Sequence, residues 1–374
     1  MRVGILGGGQ LAKMSALAAY KLGLNINILE KQINSPAGVM TKDDFVGWVD
    51  DDNILKSFSK NCDVITLESE FVDSNRLRFL ENIGKSVIPS SDTIELIQDK
   101  FIQKSTFKSF GIPLPKFMDV TSKNEYHRVK ELLKLPFVLK SKKLGYDGYG
   151  NAIIKSESEF ISAFDNLTKR HSTLLAEEFI NFSKELGVTV VRTVNEIKLY
   201  PVIETIQENS ICKKVIAPCE INEELLKEAK EIAVNCVKSV NGFGIYSIEM
   251  FLTKNDEIVV NEIAPRPHNS AHYTIDACIT SQFENHIRAV LNLPLGSTEM
   301  KKPFAIMINL LGKRNGNGEL LNYNEVLSDP DISLHLYGKS ESRIGRKMGH
   351  ITIIGNNKTE LLNRAEKIEK LANI

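Results

Sequence analysis

Residues 244–264, GIYSIEMFLTKNDEIVVNEIA, read as two apolar strands joined at a Lys-Asn-Asp turn, a β-hairpin. A turn centred on Asn255 and Asp256 brings Glu249 directly opposite Glu262. Opposed side chains share one face of a sheet with Cβ atoms ~5 Å apart, and like charges there repel. Something must neutralise the pair, and a magnesium ion shared with phosphate oxygens does so naturally. A one-residue slip would separate the two carboxylates and leave a solvated hairpin face. Asn261, beside Glu262, offers one more oxygen ligand. The strand then turns abruptly polar, with Arg266, His268, Asn269 and His272 among the next residues.

The chain has 374 residues, more than one hydrophobic core usually serves, so two or three domains are expected. Lys+Arg 47 balances Asp+Glu 47, and no global field invites nucleic acid or anionic lipid. The opening MRVGILGGGQ, an apolar run broken by Gly7, Gly8 and Gly9, resembles neither a signal peptide nor a membrane span, so a cytoplasmic location is expected. Cys62, Cys212, Cys219, Cys236 and Cys278 are widely spaced and form no C-x-x-C pair, which suits reduced structural thiols.

Residues 1–95 alternate short apolar runs with helical ones (RVGIL, QLAKMSALAAYKLG, NINILE, CDVITLE, NRLRFLENIG), the rhythm of an open parallel sheet. A single long amphipathic stretch follows, ending at Gly111 and Pro113. Residues 96–297 form a second domain of hairpins and helices with a subdomain at about 110–175, and 298–374 a small third domain. The fold class is therefore mixed, α/β followed by α+β.

Three further motifs carry chemistry. In LKSKKLGYDGYGN, residues 139–151, Gly145, Gly148 and Gly150 let a loop approach phosphate oxygens, and Lys140 can supply a point charge. Gly7, Gly9 and Ala12 satisfy G-x-G-x-x-A after a strand and before a helix. Glu30 stands where a ribose-binding acid would, so a dinucleotide enzyme is an alternative on this segment. Residues 337–351 crowd Lys339, Arg343, Arg346, Lys347 and His350 between two strands, either a solvated loop or a phosphate clamp.

Together these stretches resemble the ATP-grasp superfamily. GGGQLAKM, GYDGYGN, NEIAPRPHNSAHYT and YGKSESRIGRKMGHI closely resemble signature stretches of the 5-(carboxyamino)imidazole ribonucleotide synthetases, in that family's order and over nearly the whole chain. The resemblance implies a Rossmann-like lead domain, an ATP-grasp domain at 96–297 and a small C-terminal domain. It implies ATP and Mg²⁺ as cofactors, 5-aminoimidazole ribonucleotide and bicarbonate as substrates, and a homodimer. By the same resemblance, Lys100 and Lys140 contact ATP phosphates beneath the loop Gly145, Tyr146, Asp147, Gly148, Tyr149, Gly150 and Asn151. Glu177, Glu178, Phe179 and Ile180 line the adenine, with Glu185 on the ribose and Gln207 at the nucleotide. Glu249 and Glu262 carry the metal, with Asn261 beside them. Arg266, His268 and Asn269 surround the reacting carboxylate, and His268 can accept the amine proton. Gly8, Gln10, Glu70, Tyr146, Asp147, Lys339 and Arg346 hold the ribonucleotide. Tyr149 stands where relatives usually carry Arg or Lys, and Gln207 where a His is common. These departures keep open another carboxylate–amine ligase with a different acceptor, or a nucleotide-binding protein with reduced turnover.

Overall fold

The computed structural model describes residues 1–144, 150–169, 173–208 and 210–374. The first domain is a five-stranded parallel sheet in the order Asp43–Val46, Asn25–Glu30, Arg2–Leu6, Val64–Leu67, Ser86–Val87. The polar edge strand Asp43–Val46 and the helix Asp52–Lys60 are absent from the sequence reading, because DDFV is too short and too exposed to carry a period.

The amphipathic stretch expected after this sheet is two helices, Ser91–Gln98 and Lys100–Ser109. Asp99 breaks it: its backbone is extended, and its carboxylate accepts from the N–H groups of Phe101 and Ile102 as an N-cap. The break sets Lys100 and Lys104 one turn apart on a single helix face.

A four-stranded antiparallel sheet follows, ordered Phe117–Val120, Leu174–Glu178, Phe137–Ser141, Asn151–Ile154. Phe137, Leu139, Leu174 and Ala176 pack with Tyr126, Val129 and Phe160 from the helices Tyr126–Leu133 and Glu157–Leu167. Side chains alternate across a strand, so Lys140 and Glu177 must point to the opposite face.

The largest sheet has nine strands. It runs Ile258–Ala264, Gly244–Thr253, Phe182–Arg192, Ile203–Glu208, Ile211–Ala217, Phe304–Leu311, Lys347–Gly355, Ile332–Leu336, with Ile197–Leu199 beside Phe182–Arg192. Its last three strands belong to the tail, which shares a sheet with the middle domain through pairs such as Val215↔Met307. Phe304–Leu311 is apolar on both faces. Ile306 and Ile308 meet the terminal helix Lys358–Leu371, and Ala305 and Met307 meet Tyr273 and Ala277.

The hairpin pairs Glu249 with Glu262, but the turn differs from the simple one expected. Thr253 and Glu257 close a three-residue loop with Asp256 left-handed at φ 58°. Met250 then pairs with Val260, and a bulge at Asn261 restores Glu262 to Glu249. Without that extra residue Glu249 would face an amide, and the two acids would lie on opposite faces.

Helix Gln282–Val290 docks the nine-stranded sheet onto the parallel one and buries His286, whose Nε2 lies 3.2 Å from Thr66 Oγ1. Burial pushes His286 down to about 3. Between that value and an ordinary ~6.5 the unfolded chain takes a proton that the folded chain refuses, so stability falls as the pH drops below about 6.5. Melting curves from pH 7 to pH 5 should show a smaller decline for His286→Gln than for the native chain. Identical declines would remove His286 from the acid sensitivity.

Candidate active site

The second face of the four-stranded sheet meets the bulge of the hairpin, and three lysines gather there. Lys140 Nζ donates to Glu177 Oε1 at 2.8 Å and to Asn261 Oδ1 at 3.3 Å. Lys104 Nζ lies 2.8 Å from Glu177 Oε2 and donates to the Asn261 carbonyl at 3.0 Å. The bulge takes Asn261 out of the ladder and frees that carbonyl. Glu177 and Lys104 are almost fully buried. Burial works against the Glu177 charge, but the two ammonium groups hold its carboxyl below the usual range. Lys104 is lowered by burial in spite of Glu177. Lys100 bonds Glu262, which holds its ammonium above the ordinary range against the cost of burial.

Glu177 therefore turns its carboxylate to Lys104 and Lys140. Glu178 ends its strand, and Phe179 and Ile180 belong to the connection between the two sheets. The Glu178 carboxylate accepts from Lys116 N at 3.1 Å, Phe179 is 40% exposed, and Ile180 is half-buried. Glu185 sits on the neighbouring strand, raised by burial, within hydrogen-bond reach of Gln207 and 3.4 Å from Thr205 Oγ1. Gly145, Tyr146, Asp147, Gly148 and Tyr149 lie outside the described residues. Gly150, at φ 88°, accepts from Ser141 N, and exposed Asn151 pairs with Lys140 in register.

The acid pair is half-buried, with Glu249 27% and Glu262 37% exposed. Burial and the Glu262 charge opposite push the Glu249 carboxyl up, whereas burial of Glu262 is outweighed by Lys100, which holds it low. Two carboxylates on directly opposed residues of one sheet face fit a divalent cation, which would favour the charged form of both. Glu249 and Glu262 would hold magnesium, with the Asn261 amide beside them.

Beyond Glu262 the polar run divides. Arg266 is clamped bidentately by Glu70, through Nε to Oε2 and Nη2 to Oε1 at 3.0 Å, and each side chain is 18% exposed. His268 is held from both sides: its backbone N–H donates to Gln282 Oε1 at 2.9 Å, and Nδ1 lies 2.8 Å from Ser270 Oγ. Its Nε2 faces Glu249 at 3.6 Å. Burial, with Arg266 and Lys347 adding, pushes His268 down to about 3. The imidazole is thus neutral at pH 7 but a weak base, weaker than the sequence reading supposes; a bound anion would raise it. Asn269 is partly exposed. Its amide is paired with Asn309 by reciprocal bonds of 2.8 and 2.6 Å, tying this segment to the tail.

At the other end of the site, the glycine turn is closed by acids. Gly8 N donates to Glu30 Oε2 at 2.8 Å, and Gly9 N and Ala12 N donate to Glu68 at 2.6 and 3.0 Å. The N–H groups that a dinucleotide pyrophosphate would need are taken by carboxylates, which counts against the dinucleotide alternative. Gln10 opens the helix and is half-buried. A Cβ on Gly8 would come within 2.3 Å of Ser35 Oγ, so only glycine lets the turn sit this close. In the tail, Lys339 Nζ donates to the Lys347 carbonyl at 2.7 Å and Arg346 Nη1 to the Glu341 carbonyl at 2.6 Å. Lys13, from the first helix, reaches Leu336 O at 3.0 Å.

Lys104, Glu68 and Gln282 escape the sequence reading as site residues, whereas Lys347 stands in the basic cluster it names. Only Lys104 had a signal, its one-turn spacing from Lys100.

A lysine on an antiparallel sheet and two on the helix that precedes it, facing a metal-ready acid pair on a second sheet, are the arrangement of ATP-grasp enzymes. A family model of the ATP-grasp domain matches residues 105–283, one of the ribonucleotide synthetase preATP-grasp domain residues 1–98, and one of the phosphoribosylaminoimidazole carboxylase C-terminal domain residues 305–364. The N5-carboxyaminoimidazole ribonucleotide synthetase of Thermotoga maritima is 42% identical and superposes with a TM-score of 0.90 over 100% of this chain and 98% of its own. The synthase of Aspergillus clavatus, solved with ADP and 5-aminoimidazole ribonucleotide, is 36% identical with a TM-score of 0.91 over 99% and 98%. The phosphoribosylaminoimidazole carboxylase of Ogataea methanolica is 42% identical over 99% of this chain and 69% of its own length. The chain belongs to the N5-carboxyaminoimidazole ribonucleotide synthetase family.

Proposed function

We propose that this chain carboxylates the amino group of 5-aminoimidazole ribonucleotide, using ATP and bicarbonate, as a step of purine biosynthesis. Bicarbonate oxygen attacks the γ-phosphorus of ATP and ADP leaves. The resulting carboxyphosphate delivers its carbon to the amine, releasing phosphate and one proton. The observation that carries this reading is the convergence of Lys100, Lys140, Glu249 and Glu262 with Arg266 and His268. It is supported by a relative of the same fold solved with both ADP and the ribonucleotide.

Lys140 and Lys100 are positioned to exchange carboxylate partners for phosphate oxygens, with Lys104 keeping Glu177 satisfied. Glu249 and Glu262 would hold magnesium, which would supply charge neutralisation for a transferring phosphoryl group. Arg266, already set in plane by Glu70, presents a fork suited to the anionic oxygens of carboxyphosphate. His268 accepts the amine proton once substrate anions raise it, and the labile intermediate requires that water be kept from the site during the reaction. The homodimer and the cytoplasmic setting belong to this proposal; among the described residues, no helix is long and apolar enough to cross a membrane. ADP release should require both 5-aminoimidazole ribonucleotide and bicarbonate. Release driven equally by a different amine acceptor would favour another ligase.

Arg346→Ala separates acceptor binding from ATP chemistry. Its apparent KM for the ribonucleotide should rise about 10- to 100-fold, as for loss of one charged hydrogen bond to phosphate, with KM for ATP little changed. A shift in the ATP value alone would move the tail's basic segment to the nucleotide.

A further inference from the structure

The nine-stranded sheet holds a second cross-strand pair of ligand-type side chains. His335 on Ile332–Leu336 lies directly opposite His350 on Lys347–Gly355, and their rings stack with centroids 4.5 Å apart. Asp276, from the short helix Thr274–Ala277 packed against the His350 strand, places Oδ2 2.9 Å from His335 Nε2. One donor atom from each of the three residues lies within 4.8 Å of the other two. His350 is fully buried. Its Nδ1 lies 3.1 Å from the Tyr337 hydroxyl, while its Nε2 is buried with no hydrogen-bond partner among the described residues. A buried polar atom left this way is costly and calls for a ligand or a role.

We propose that Asp276, His335 and His350 form a metal site, distinct from the acid pair and selective for a divalent transition ion of the zinc class over magnesium. Two imidazoles and a carboxylate suit zinc, cobalt(II) and nickel, whereas magnesium takes oxygens. The 2.9 Å between His335 Nε2 and Asp276 Oδ2 suits two ligands at about 2.0–2.1 Å subtending roughly a right angle at the ion. The Tyr337 hydroxyl engages Nδ1 of His350 and leaves Nε2 as the ligating atom. His335 and Asp276 keep 27% and 18% exposure, which provides an entry path and a side for a water ligand. The same row of the sheet continues from His350 to Asn309, the amide partner of Asn269. A bound ion would therefore pin two tail strands and the helix at 274–277 beside the segment that follows Arg266.

The test is a titration of chelator-stripped, full-length protein with Co²⁺ in excess magnesium, followed by visible absorption and by melting temperature. One Co²⁺ per chain should bind with the bands of a nitrogen- and oxygen-ligated ion and raise the melting temperature. His335→Gln and Asp276→Asn, both at partly exposed positions, should each weaken binding by about ten-fold or more. Glu249→Gln should bind Co²⁺ as the native chain does. Absence of stoichiometric Co²⁺, a thiolate charge-transfer band, or binding lost in Glu249→Gln but kept in both other variants would overturn the site.

Discussion

Glu262→Gln is expected to lower ATP turnover by roughly 10³-fold, because the proposed metal ligand is removed and the stabilisation a metal gives a transferring phosphoryl group amounts to several kcal/mol. The change keeps the side-chain volume and removes only the charge. Lys100 loses its ion-pair partner at the same time, so the ammonium group becomes free to bind phosphate, and ATP affinity should fall far less than turnover. Glu249→Gln is the companion measurement. It leaves the Lys100–Glu262 pair intact and relieves the repulsion across the hairpin, so loss of turnover in that variant is read without a change in the Lys100 pair. Circular dichroism should stay native in both. Turnover within ten-fold of native for Glu262→Gln would take the metal away from this hairpin.

Lys104→Met should cost about 3 kcal/mol of stability, at the low end for breaking a buried ion pair because Glu177 keeps Lys140. The Asn261 carbonyl also loses its donor, which loosens the bulge that sets Glu262 opposite Glu249. Urea unfolding measures the first effect and the KM for ATP the second, since Lys140 would then be drawn more firmly to Glu177. Native stability in Lys104→Met would show that the buried cluster is maintained without it.

The opposed acids were legible because a hairpin is local: its strand pattern and turn residues bring Glu249 to Glu262 within a short stretch of chain. Even there the expected turn was too simple. The Thr253–Glu257 closure and the bulge at Asn261 shift the register twice, and the two shifts leave the acid pair where a plain turn would put it. The polar run from Arg266 to Asn269 was legible as a site by residue type, but its internal division was not. Which side chain clamps Glu70 and which ties down the tail depends on partners at 70 and 309.

What the sequence determined by itself is the set of local elements: the parallel sheet of the first domain, the hairpin, the glycine loop's place between strands, and the residue types at each strand end. Tertiary structure alone decided how charges are shared among them. Asp99 turns one helix into two, and only then do Lys100 and Lys104 face a hairpin some 160 residues on. Glu68 closes the glycine turn from a different strand, and the tail becomes part of the central sheet by pairing Ile211–Ala217 with Phe304–Leu311. Backbone periodicity and capping act over a few residues and can be read along the chain. The cost of burying a charge is settled only by whichever distant group the packed fold brings within hydrogen-bonding distance.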